Sequence, residues 1–97
     1  MSYTMDCYVL DTLMRDLVGH DRRPSAFLVY LSLLAACGQR GAALSYAQLA
    51  DRTGLSKRAV QAAVVALERR GLLGVERNGA TGVPRYQVLS PWVRPSP

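Results

Sequence analysis

The chain has 97 residues, enough for one hydrophobic core and too few for two. With 49% hydrophobic and only 20% charged residues, it reads as a globular domain rather than a disordered one. No apolar run approaches the roughly 20 residues of a membrane span, and the net charge of +5 sits wholly in the second half.

That asymmetry is informative. Residues 1–44 hold Arg15, Arg22, Arg23 and Arg40 against Asp6, Asp11, Asp16 and Asp21, which cancel, whereas residues 45–97 set eight basic residues against Asp51, Glu68 and Glu76. An acidic partner for the second half is implied, most simply a phosphate backbone. At the N-terminus, Asp6 and Asp11 stand where a secretion signal would carry lysines, so a cytoplasmic location is expected. Cys7 and Cys37 lack metal-ligand spacing and are expected to be free thiols packed as small core residues.

In chain order, Val9, Leu10, Leu13, Met14, Leu17 and Val18 follow the spacing of an amphipathic helix over residues 6–18, with Gly19 as its stop. Pro24 and Ser25 open a second helix through Cys37, apolar nearly all round and so expected to be the central buried one, with Gly38 and Gly41 at its exit. Ala43 and Leu44 suit a short strand. Ser45 caps a third helix over Tyr46 to Thr53, and Ser56 caps a fourth over Lys57 to Arg70, ended by Gly71. Leu73 to Arg77 and Arg85 to Leu89 alternate as two strands about a turn containing Asn78, Gly79 and Gly82. The tail, with Trp92 and three prolines, reads as extended.

The third and fourth helices form the most specific pattern. Small Ala50 lets the helices cross closely, Gly54 can take the positive φ of a tight inter-helix turn, and Leu49, Leu55 and Val60 supply the small core between them. Helix, helix, helix-turn-helix and hairpin in that order make a winged helix-turn-helix. Such a fold is mostly α, with a three- to four-helix core and a two-stranded wing. The whole of 1–97 is then one domain: an N-terminal helix over 1–22, the helix-turn-helix over 45–70, the wing over 73–89 and a tail over 90–97.

On the stretches FLVYLSLL, YAQLADRTGLSKRAVQAAVVALERRGLL and PRYQVL, the chain from Ser25 to Leu89 resembles the bacterial winged helix-turn-helix families. These include MarR-type regulators and the N-terminal domains of plasmid and phage replication proteins. The resemblance implies DNA binding and a role in transcription regulation, with replication as the alternative. MarR-type proteins usually carry a further C-terminal dimerisation helix, and replication proteins a long additional domain. Neither is read in the 97 residues.

Wound at 3.6 residues per turn, the fourth helix puts Val60, Ala63, Val64 and Leu67 on one side and Arg58, Gln61, Ala62, Val65 and Arg69 on the other, with Lys57 near its start. In a major groove, Gln61 suits adenine, Arg58 or Lys57 suits guanine or phosphate, and Ala62 and Val65 suit thymine methyl groups. Ser45, Tyr46 and Ser56 stand where helix-start groups meet phosphates, and Arg77 and Arg85 flank the wing turn. Double-stranded DNA is therefore the expected partner.

Useful specificity from so few readers usually needs two half-sites, so a symmetric homodimer is expected, assembled through the apolar surplus at Val9, Leu10, Leu13, Met14 and Leu17, with Val9, Leu13 and Leu17 packing internally while Leu10 and Met14 face the second subunit. The competing reading is a protein-interaction module, supported by the poverty of base-reading side chains between Ala59 and Val65. Catalysis is not expected. His20 is the lone histidine, the carboxylates are scattered, and no Ser, Cys or Lys has an adjacent base. No metal, cofactor or small-molecule ligand is read from the residues.

Overall fold

The computed structural model describes residues 6–37, 42–77 and 83–91, and the expected elements appear there in the expected order. Wing-turn residues Asn78, Gly79 and Gly82, helix-exit residues Gly38 and Gly41, and Trp92 with the rest of the tail lie outside the described residues.

The N-terminal helix differs from expectation in its winding. It consists mainly of two π-helical stretches, Val9–Leu13 and Arg15–His20, with i→i+5 closures such as the Met14 N–H to Val9 O and the Asp21 N–H to Asp16 O bonds. A buried stripe at strict four-residue spacing, Val9, Leu13 and Leu17, is compatible with either winding, so periodicity could not separate them. Nor does Gly19 end the helix, which continues through His20. The chain reverses instead at Arg22, whose φ of 54° is left-handed, a region few non-glycine residues occupy.

Helix α1, Pro24–Cys37, is the central element, touching the N-terminal helix, both helices of the helix-turn-helix and the sheet. Ala26, Phe27, Val29, Tyr30 and Leu33 are buried on it, while Leu28 is exposed. The Tyr30 hydroxyl donates to the Leu89 carbonyl at 3.0 Å, pinning α1 to the far end of the wing. Burial pushes the Tyr30 phenol above its ordinary range.

The helix-turn-helix is built as its residues dictate. Helix α2, Tyr46–Thr53, starts in a capping box: Ser45 Oγ accepts the Gln48 N–H (3.1 Å) and Gln48 Oε1 accepts the Ser45 N–H (2.8 Å). It ends at Gly54, with φ +79°, whose N–H donates to the Ala50 carbonyl. Thr53 Oγ1 donates to the Leu49 carbonyl and accepts the Leu55 N–H, tying the turn together. Helix α3, Lys57–Arg69, is capped by Ser56 Oγ on the Ala59 N–H; such a cap contributes about 1 kcal/mol. Its exit is a Schellman turn: the Leu72 N–H reaches the Leu67 carbonyl and the Gly71 N–H the Glu68 carbonyl, with Gly71 at φ +70°.

The wing is larger than the expected two strands. Strand β1, Ala42–Ala43, pairs antiparallel with β3, Arg85–Val88, which also pairs with β2, Leu73–Glu76, giving a sheet in the order β1-β3-β2. Two alanines are too short a run to show a strand period, and β1 lies one residue earlier than expected. On β3, Tyr86 and Val88 face the core and Arg85 and Gln87 face out. The core joins Leu49, Val60, Ala63, Val64 and Leu67 to Tyr30, Leu33, Leu72, Leu73, Tyr86 and Val88. Each fully buried Leu or Val contributes roughly 1.5–3 kcal/mol. Among the described residues, no helix is long and apolar enough to cross a membrane.

Candidate nucleic-acid interface

The inward stripe of α3 (Val60, Ala63, Val64 and Leu67) is buried, which leaves Lys57, Arg58, Gln61, Ala62, Val65 and Arg69 exposed. Val65 keeps 39% of its surface in solvent, a large apolar side chain in the middle of that face. Arg58, Gln61, Ala62, Val65, Ala66 and Arg69 line one open concavity: an apolar floor with an arginine toward each end. Its seventh member is Arg23, from the turn before α1. Sequence reasoning missed Arg23, because its proximity to α3 comes from the crossing of α1 and α3 and leaves no local pattern.

Electrostatics divide the arginines into two groups. Arg70, at the end of α3, reaches back to the N-terminal segment, lying 3.2 Å from Asp21 and 3.7 Å from Asp16. Arg77 folds onto α3 and pairs with Glu68 at 3.1 Å. The hydrogen bond with Glu68, followed by that with Tyr46, raises the Arg77 pKa above its ordinary value. Arg77 is therefore held against α3 by a carboxylate, not presented freely at the wing tip as the sequence suggested. By contrast, Lys57, Arg58 and Arg69 enter no salt bridge among the described residues.

At the start of α2, the Ser45 amide is occupied by Gln48, so it is not available to a phosphate as expected. Tyr46 keeps its place in the first turn, with its ring half-buried against the core. Ser56 is exposed, and its hydroxyl serves as the cap of α3. Arg85 opens the central strand β3, exposed and in register with Glu76 on one side and Ala43 on the other. An acidic neighbour across the strand weakens its attraction for phosphate. Beneath it, the buried Tyr86 phenol is pushed well up by desolvation and then by neighbouring Tyr46.

The proposed dimer residues split. Val9, Leu13 and Leu17 are buried in the domain's own core and cannot face a second subunit. Leu10 (51% exposed), Met14 (41%) and Val18 (39%) form an outward apolar stripe at four-residue spacing. Cys7 is exposed, contrary to its expected place in the core, because the helix directs its buried stripe through Val9 instead. Among the described residues, exposed His20 pairs with its neighbour Asp21, at 3.1 Å. Among the described residues, no three His, Cys, Asp or Glu side chains gather as a metal set.

Comparison with known proteins adds one finding. A family model described as the MarR family matches residues 28–82, more than half of the chain, from the first turns of α1 through α2, α3 and β2. No curated protein and no solved structure matches.

Proposed function

The chain belongs to the MarR family, and from that premise we propose that it binds double-stranded DNA sequence-specifically as a small bacterial, cytoplasmic transcription regulator. One observation carries the reading: α3 is held by a capped, glycine-turned helix-turn-helix and offers solvent a face of Arg58, Gln61, Ala62, Val65 and Arg69 that contains no carboxylate. A helix of this diameter fills a major groove. There Gln61 pairs with adenine, Ala62 and Val65 meet thymine methyls, and the cations meet guanine or phosphate.

The protein acts as a two-fold dimer joined through the outward stripe of Leu10, Met14 and Val18, which sets two recognition helices about 34 Å apart on an inverted repeat. Selection of bound sequences from random duplexes tests this reading, with enrichment of an inverted repeat as the expected result. With Arg70 and Arg77 engaged in ion pairs, about four or five phosphates per subunit are neutralised, so for the dimer log affinity falls against log salt with a slope of about −8. A selection that enriches nothing would favour the second reading, docking of another protein, which the exposure of Val65 in the middle of the face supports.

A further inference from the structure

We propose that Arg23 is a phosphate-contacting residue of this interface, supplied from outside the helix-turn-helix. The proposal rests on the reading that α3 enters the major groove.

Three constraints hold Arg23 in place. Its N–H donates to the Leu17 carbonyl at 2.7 Å, which fastens it to the N-terminal helix. Its carbonyl accepts the Ala26 N–H at 3.0 Å and so opens α1. On either side, Arg22 sits at φ 54° and Pro24 fixes the first helical φ. The backbone is thus anchored to two helices while the side chain stays exposed and joins the concavity of α3.

That concavity is electrostatically incomplete. Arg23, Arg58 and Arg69 surround a floor of Ala62, Val65 and Ala66, and none of the lining residues is acidic. Three like charges about one apolar floor repel one another, and an anion between them relieves the repulsion. Arg70 and Arg77 show the opposite arrangement, each already met by a carboxylate. Geometry then selects the kind of anion. A helix roughly 10–12 Å across in a groove about 12 Å wide leaves its crest against base edges and its flanks against the phosphates of the groove wall. Arg23 comes from another element and stands beside the crest of α3, so it meets the wall and not a base.

The experiment uses the full chain and a duplex carrying its selected sequence, titrated across salt. Arg23→Gln should weaken binding to every sequence alike, by about eight-fold per subunit at 0.1 M salt and so roughly sixty-fold for the dimer, and make the salt slope shallower by about 1.8. Arg23→Lys should keep the slope. The unfolding midpoint of Arg23→Gln should match that of the unmodified protein, since both backbone bonds survive. Replacing phosphates singly by neutral methylphosphonates should reveal one position in each half-site that weakens the unmodified protein and leaves Arg23→Gln unaffected. An unchanged affinity and slope for Arg23→Gln overturns the proposal while leaving DNA binding by α3 intact. A changed preference at one base overturns it in favour of base reading. No binding by the unmodified protein removes both this proposal and the reading beneath it.

Discussion

The N-terminal helix and α3 are alike on the side that faces the core and opposite on the side that faces solvent. Inward, one contributes Val9, Leu13 and Leu17 and the other Val60, Val64 and Leu67, all buried. Outward, one shows Leu10, Met14 and Val18, and the other Arg58, Gln61, Val65 and Arg69. The inward stripes determine where each helix lies. The outward faces, free of any packing demand, determine what each can meet: an apolar surface for one and a polyanion for the other.

The largest expected effect tests the shared half of that comparison. Leu17→Ala and Leu67→Ala should each lose about 2–5 kcal/mol in denaturant unfolding, because both vacate a fully buried site. A loss under about 1 kcal/mol for Leu17→Ala would show that the N-terminal helix does not share the core of α3. The outward half is tested next. Gln61→Ala should cost about 1–3 kcal/mol of binding at a single base position, yet leave unfolding within about 0.5 kcal/mol. An unchanged selected sequence would exclude Gln61 as a reader.

The chain turns that follow the N-terminal helix and α2 differ too. Gly54→Ala should destabilise by about 1–2 kcal/mol through its positive φ alone, since a Cβ there meets no atom within 4 Å. At Arg22, already left-handed, substitution by glycine should cost nothing on that account; equal losses at the two positions would contradict the assigned dihedrals. Leu10→Glu with Met14→Glu should shift sedimentation from dimer to monomer, and at a dilution where both proteins are monomeric should change stability by less than about 0.5 kcal/mol. If the unmodified protein already sediments as a monomer, with and without DNA, the outward stripe is not a dimer interface. The smallest effect lies in the alkaline range. Tyr30 and Tyr86 keep their protons in the fold, whereas in the unfolded chain they ionise near pH 10. Stability present below that pH should therefore fall as the pH rises beyond it. Tyr86→Phe should flatten that fall, and an identical pH profile would contradict the burial of the phenol.

The sequence made much of this legible because the helix-turn-helix is specified locally. Ser45, Gly54, Ser56 and Gly71 each act within a few residues, and each stands in the structure where its chemistry suggested; the Gln48 half of the capping box is added by the structure. The inward stripe of α3 was readable for the same reason. What escaped depends on distance. A charge count treats Arg70, Arg77 and Arg69 alike, but Asp16 and Asp21 lie more than 40 positions before Arg70, and only the folded chain brings them together. Arg23 joined α3 in the same way, through helix crossing. The third strand was only partly visible, since two alanines carry no period and acquire strand character from β3.

The bond from Tyr30 to Leu89 spans 59 positions, whereas α2 and α3 join across a three-residue turn. Closing a loop of that length has an entropic cost that grows with its span and must be met before the contact stabilises anything. The order of assembly should follow: the helical pair first, and the end of the central strand fastened to α1 last. The same asymmetry governs opening. Amides of β3 should exchange with solvent ahead of those of α3, so that the wing detaches and returns while the reading helix stays folded. Equal protection in the two elements would show instead that the domain opens only as a whole.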